Sequence, residues 1–293
     1  MTYQTDKLKK LVALVERNAP QEGTYVTDFK KFGTFKSSSR HTKMPSYYDP
    51  AIIMVGQGKK RCFIGNQTYE YGAGDYLISF LPMSLDVEIV EASPDKPFLA
   101  AGVSIDLIRL ADVLLRMERV EGDVTKPVST DPSGIFSAPL NDNLLDPTIR
   151  LLEALDNPRD AVILGDLIVD EIYYRILCDE RGGDLRTFLQ QRGQIQRVAK
   201  AVQYIQQNIN KPVSVEELAE MVHMSRTSFY EKFKEVMHVS PLQYAKEVKL
   251  LKAQTLLKEG KNASEAGYLV GYNSPAQFSR EYKRHFGFAP SAT

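Results

Sequence analysis

Histidine, cysteine and tryptophan are scarce in this 293-residue chain, which holds four, two and none of them. His41 is the only histidine before residue 223. A His-rich metal site or a nucleophile–His–acid set therefore has no material there, which removes the usual metal-dependent barrel enzymes. Cys62 and Cys178 stand far apart with no metal-ligand spacing, which argues against a disulfide framework and suits a reducing compartment. Long apolar runs are missing too. The longest, residues 161–169, is interrupted by Gly165 and Asp166, so no segment is expected to span a membrane. The N-terminus, Met-Thr-Tyr-Gln-Thr-Asp-Lys, lacks the apolar stretch of a signal peptide, and a cytoplasmic location is expected.

Net charge is absent only in the sum. The 37 Lys and Arg balance 37 Asp and Glu, but from residue 193 onward there are 14 basic and 9 acidic residues, leaving 23 against 28 in the rest. A basic tail on an acidic body is a mild nucleic-acid signal, which a plain solvated surface would also give. What is present is ordinary for a globular chain of two domains: 43% hydrophobic and 25% charged residues, with Tyr and Phe carrying the aromatic content.

Residues 5–18 predict an amphipathic helix, with Leu8, Leu11, Val12 and Val15 on one stripe. From Thr24 to about Ile105 the texture is β-rich. Six short runs (51–55, 59–63, 67–71, 76–80, 86–90 and 98–103) alternate with turn signals, among them Gly65-Asn66 as a two-residue hairpin, and predict a sandwich or small barrel. Helical patterns follow at 105–117, at 143–155 after a polar loop, and at 159–178; their apolar stripes suit either core or a dimer seam. Arg181-Gly-Gly-Asp184 is the expected domain boundary.

The C-terminal hundred residues carry a repeat. A helix over 193–209 precedes Ser214, expected to cap a short helix with Glu217 completing a capping box. After His223-Met224, Ser225 caps a second helix running to about Val236. Ser240-Pro241 opens a longer helix to about Lys258; then come a helix at 263–270, a turn at Gly271-Tyr-Asn, and a helix capped by Ser274 with Pro275 at its first position, ending at Gly287. Aligned on Ser225 and Ser274, Phe229 matches Phe278, Phe233 matches Tyr282 and Lys234 matches Lys283. Helix, tight turn, helix is a groove-reading plan, used here twice. The connecting helix, at about 1.5 Å per residue, would span roughly 27 Å, near the roughly 34 Å between successive major-groove faces. Phe229, Phe233, Phe278, Tyr282 and Phe286 are expected in the cores. Ser225, Arg226, Ser274, Lys283 and Arg284, with the helix N-terminal amides, are candidates to clamp the DNA backbone.

Residues 193–290 resemble the DNA-binding domain of the AraC/XylS family of bacterial transcription regulators. The resemblance is carried by Ser214-Val-Glu-Glu-Leu-Ala, Met224-Ser-Arg-Thr-Ser-Phe, Ser240-Pro-Leu-Gln-Tyr, Val270-Gly-Tyr, Phe278-Ser-Arg-Glu-Tyr-Lys-Arg-His-Phe-Gly and Pro290. The body is similar to the N-terminal domain of one branch of that family, through Tyr48-Asp-Pro-Ala, Val55-Gly-Gln-Gly-Lys-Lys, Gly74-Asp-Tyr-Leu and Ala92-Ser-Pro-Asp-Lys-Pro. The resemblance implies an α+β chain: a cupin-like β-barrel with helices over 1–184, then an all-α double helix-turn-helix domain over 193–293. It also implies base-facing side chains at Thr227, Tyr230 and Glu231 in the first unit and Ala276, Gln277 and Arg280 in the second, residue types that can pair with base edges. One departure stands out: Ala266-Gly267 replaces the family's larger aliphatic followed by Ala, so the second unit is expected to be the looser one.

Within the barrel, Cys62, Tyr69, Tyr71 and Phe80 face either an effector-holding lumen or plain core. Cys62 could sense electrophiles only with an exposed, stabilised thiolate. The functional expectation is a regulator, not an enzyme, with no cofactor and no metal. Its partners would be promoter duplex DNA, an unidentified small-molecule effector, a second copy of the chain and RNA polymerase, without a membrane. Two alternatives stay open: a ligand-independent regulator whose body only dimerises, and a barrel enzyme with a DNA-binding tail.

Overall fold

The structure is a computed structural model that describes residues 2–121, 134–179, 181–190 and 192–293. Helix α1 (Thr2–Arg17) buries the stripe of Leu11, Leu14 and Val15 and leads into the strands. Their order is β1 (Gly23–Val26), β2 (Phe32–Ser37), β3 (His41–Tyr48), β4 (Ala51–Gln57), β5 (Lys59–Ile64), β6 (Gln67–Gly72), β7 (Asp75–Ser79), β8 (Met83–Glu91), β9 (Phe98–Ser104) and, later, β10 (Ile135–Pro139). The described strands pair antiparallel into a six-stranded sheet, ordered β1-β2-β9-β4-β7-β10, and a four-stranded sheet, β3-β8-β5-β6.

The six predicted runs became β4 to β9, and Ile64 pairs Gln67 across the Gly65-Asn66 hairpin, with Gly65 at φ +55°. Four strands were not foreseen. β3 carries Pro45 and an exposed polar start, β1 and β2 contain Gly23 and Gly33, and β10 is a five-residue strand ending in Pro139, so none shows a clean apolar alternation. Their partners supply the order that the local pattern withholds. The polar loop expected before residue 143 falls largely on residues 122–133, outside the described residues.

The helices α2 (Leu107–Glu121), α3 (Asp142–Ala154) and α4 (Pro158–Cys178) pack with α1 on the outer face of the six-stranded sheet. Alternation assigns the faces. On β4, Ile52 and Met54 meet the helices, with the Thr148 hydroxyl 2.9 Å from the Met54 sulfur, while Ala51 and Ile53 face the other sheet. Arg109 ties α2 to α4 through Asp166 and Asp170, both at 2.5 Å.

Past Gly182 the chain runs straight into α5 (Gly182–Gln190) and then α6 (Arg192–Gln207). Leu185 and Leu189 of α5 are buried in the same core as the barrel. The C-terminal helices are α7 (Val215–Met221), α8 (Arg226–Met237), α9 (Pro241–Lys258), α10 (Ala263–Leu269) and α11 (Pro275–Phe286). Antiparallel sheets with packed helices, followed by an all-helical tail, make the chain α+β.

Candidate nucleic-acid interface and barrel cavity

Two short helix pairs closed by equivalent turn hydrogen bonds form the C-terminal surface. In the first pair, α7 and α8, the Met224 N–H donates to the Ala219 carbonyl at 2.9 Å; in the second, α10 and α11, the Tyr272 N–H donates to the Gly267 carbonyl, also at 2.9 Å. These positions are 48 apart, yet the capping serines 225 and 274 are 49 apart, because Asn273 lengthens the second turn by one residue. The first turn reverses at His223 with φ +54° and the second at Gly271 with φ +86°, where a Cβ would run into the Asn210 backbone.

The caps differ from expectation in one respect. The Ser214 Oγ does accept from the Glu217 N–H, at 3.4 Å, but it donates to the Glu216 carboxylate instead of sharing a reciprocal box with Glu217. Glu216 also holds Arg226 at 2.9 Å. Its own backbone N–H, Ser214 and Arg226 together keep Glu216 below the usual carboxylate range. The full reciprocal box forms in the second unit, between Asn262 and Glu265.

Each second helix buries one face and bares the other. Phe229 and Phe233 of α8 and Phe278 and Tyr282 of α11 are fully buried, while Phe286 is half-buried with its ring centroid 4.4 Å from that of Tyr282. The bared faces carry Thr227, Tyr230 and Glu231 on α8, and Ala276, Gln277 and Arg280 on α11. Ser225, Arg226, Lys283 and Arg284 are exposed beside them, and Ser274 is half-buried. Arg280, Lys283 and Arg284 make no ion pair among the described residues, so they are available to an outside anion. Gln277 is engaged: it donates to Glu281 at 3.2 Å, as does the Tyr272 hydroxyl at 3.0 Å. Burial pushes the Glu281 carboxyl up, but these donors and Lys246 outweigh it and hold it low.

Gly267 explains the departure noted in the sequence. A Cβ at that position would lie 2.9 Å from the Phe278 ring, so the glycine is what lets the aromatic anchor of α11 seat against α10. The second unit closes around a small cluster of its own: Leu250, Ala253, Val270, Phe278 and Tyr282. The first unit has no separate core. Phe229, Phe233, Val236, Met237 and Tyr244 belong to the cluster that runs through the barrel.

That continuity is a contact the sequence did not reveal. Tyr244 of α9 donates its hydroxyl to the Pro82 carbonyl at 3.1 Å, and Gln206 of α6 donates to the Tyr47 hydroxyl on β3. The Gly65 hairpin tip meets His238 at the end of α8, where a Cβ would lie 2.6 Å from the His238 carbonyl oxygen. The α11 helix packs on β3, which brings His285 near Asp86 of β8; the buried His285 Nε2 has no hydrogen-bond partner there.

Between the two sheets lies a cavity of about 550 Å³. Its walls include Phe35, Ile53, Val87, Ile89, Phe98 and Ala100, with Thr34, Ser46, Tyr48 and Lys60 as polar members. None of Cys62, Tyr69, Tyr71 and Phe80 lines it. Cys62 and Tyr71 do face inward, but into a packed part of the interior, where the Tyr71 hydroxyl lies 3.1 Å from that of Tyr48 and 3.4 Å from the Cys62 sulfur. Burial pushes the Cys62 thiol up, the opposite of a reactive thiolate. Phe80 packs edge-on against Phe136 at 5.6 Å, and Tyr69 is a half-buried residue against the core. Lys60, the buried cation of that lining, carried a visible signal in the sequence: a charge at an inward position of an alternating strand.

Residues 28–184 match the family described as AraC-type transcriptional regulator N-terminus, and residues 218–293 match a helix-turn-helix domain family. A lactose operon transcription activator of Staphylococcus xylosus is 23% identical over 242 residues, covering 82% of this chain and 81% of that protein. LumQ of Photobacterium leiognathi, a probable transcriptional regulator, is 34% identical over 89 residues, 30% of this chain and 36% of that protein. Among solved structures, ToxT of Vibrio cholerae with a bound unsaturated fatty acid superposes with a TM-score of 0.59 at 11% identity, covering 89% of this chain and 93% of that one. The N-terminal match spans more than half of the sequence and a duplicated helix-turn-helix unit fills its tail: the chain belongs to the AraC/XylS family of DNA-binding transcription regulators.

Proposed function

We propose that this regulator reads two successive major-groove segments with α8 and α11 of one monomer, under the control of a small molecule held in the barrel cavity. The observation that carries the reading is the duplicated helix pair, each with a buried aromatic back and a bared polar front. On this reading Thr227, Tyr230, Glu231, Ala276, Gln277 and Arg280 face bases, and Ser225, Arg226, Ser274, Lys283 and Arg284 hold phosphates. Arg226 must first exchange Glu216 for a phosphate oxygen. The effector half is supported by the cavity and by the fatty acid bound to the similarly folded ToxT. Residues 1–184 would form the sensing body and 193–293 the reading domain, with RNA polymerase as the neighbour on the promoter.

Homodimerisation fits an exposed apolar strip at the start of α4: Val162, Ile163 and Leu167 are 72%, 62% and 64% exposed, while Ile168, Val169 and Ile172 of the same helix are core. The experiment is selection of bound duplexes from genomic fragments by the full-length protein, followed by titration at rising salt. Two half-sites about one helical turn apart and a steep loss of affinity with salt are expected. Binding without a salt slope, or a single half-site per monomer, overturns the reading. Sedimentation of a Leu167→Glu variant tests the dimer, which should become a monomer.

A further inference from the structure

Strand β5 carries three consecutive cations, and two of them are answered. Lys59 and Arg61 point outward, Lys59 to Glu70 at 3.3 Å and Arg61 to Glu70 at 2.7 Å and Glu88 at 3.2 Å. Lys60 points inward and is 7% exposed. Its Nζ lies 3.5 Å from the centroid of the Phe35 ring and 4.7 Å from that of Phe98. No hydrogen bond or ion pair reaches it among the described residues.

Aromatic faces attract an ammonium but replace only part of its lost hydration. Burial pushes this amine down to about 8, which still leaves it mostly protonated at neutral pH. A well-packed apolar residue would serve the core better, because a buried charge without a partner is a cost to folding. The amine is also placed where a ligand can answer it. Lys60 lines the cavity between the sheets, and the other charged groups of that lining, Lys30, His41 and Asp49, are all exposed.

We infer that Lys60 is the anchor of an anion site: the cavity takes a monocarboxylate with an apolar body, its carboxylate paired with the Lys60 Nζ and its body lying against Ile53, Val87, Ile89 and Ala100. One enclosed cation matches one negative charge, and a cavity of about 550 Å³ is of the size that holds a small ligand. This rests on the effector reading above and adds the class of molecule to it.

The test uses the full-length protein and calorimetry at neutral pH with two probe bodies, octanoate and 4-butylbenzoate. Each is compared with its alcohol and its primary ammonium analogue, on the wild type and on Lys60→Met and Lys60→Gln. At least one acid should bind the wild type about tenfold or more tighter than its alcohol and its ammonium, the size of one charge-assisted hydrogen bond. In both variants, with folding confirmed by circular dichroism, that preference should shrink to about twofold or less while the alcohol still binds. An acid preference that survives in the variants, alcohols that bind the wild type as well as the acids do, or no binding by either body overturns the inference. Operator affinity measured with and without the acid separates the two readings. Lys60-dependent binding that leaves DNA affinity unchanged keeps the anion site and removes effector control.

Discussion

The two helix-turn-helix units share a backbone plan and differ in what holds them. The first is an extension of the body: α8 shares its core with the barrel, its end abuts the Gly65 hairpin, and Tyr244 bonds to Pro82. The second rests on a five-residue cluster of its own and meets the body mainly where α11 lies on β3. One sequence module, used twice, thus gives one helix-turn-helix unit fixed to the barrel and one that depends on the linker helix α9. The difference teaches that similarity of fold between repeats does not carry over to their stability, because stability lies in what each repeat packs against.

The largest effect that separates them is expected from the aromatic anchors. Phe278→Ala should cost about 3–5 kcal/mol and release α10 and α11 alone, whereas Phe229→Ala, at a similar cost, should loosen the barrel as well. Hydrogen exchange reads this directly, and equal deprotection of the barrel in both variants would mean that the two cores act as one. Tyr244→Phe comes next. Losing the bond to the Pro82 carbonyl should cost about 1–2 kcal/mol and raise exchange in β8 and α9 while leaving α10 and α11 unchanged. Gly267→Ala should be destabilising by about 1 kcal/mol, since crowding against Phe278 outweighs the better helix propensity of alanine. A rise in the melting temperature of that variant would show that the ring can yield.

The smallest effect concerns His285, which joins the second unit to the body. Burial holds its imidazole below the ordinary value; Asp86 pulls it up and Lys246 pushes it down. Between the folded value and about 6.5 the unfolded chain binds the proton and the folded chain does not. The contact is therefore fully stable above about pH 6.5 and weakens as pH falls below it. Exchange in α11 should rise on mild acidification, and His285→Gln should abolish that dependence.

Much of this was legible from residue patterns. Caps, turn residues and aromatic spacing act over a few residues, so both units and their capping serines are legible in the sequence, as are β4 to β9 and α1 to α4, whereas α5 starts inside the expected boundary at 181–184. The strands β1, β2, β3 and β10 could not, because Gly23, Gly33, Pro45 and Pro139 blur their pattern and only neighbouring strands order them. Ala266-Gly267 reads as a weak helix in the sequence and proves to be a seat for Phe278, a contact between residues eleven apart. Cys62 and Tyr71, legible as inward-facing and open between lumen and core, lie in packed core away from the cavity, a depth that strand parity does not encode.

The sequence by itself determined the family, through the motifs that carry the resemblance, and the two helix-turn-helix units and the order of β-rich body and helical tail, which local periodicity and capping encode. Only the tertiary structure decided which inward side chains meet empty space, that Lys60 lies there without a counter-ion among the described residues, and that one unit is fused to the barrel while the other stands on its own small core. Those outcomes depend on how two sheets and eleven described helices fill space against one another, a property of packing that no short stretch of chain carries.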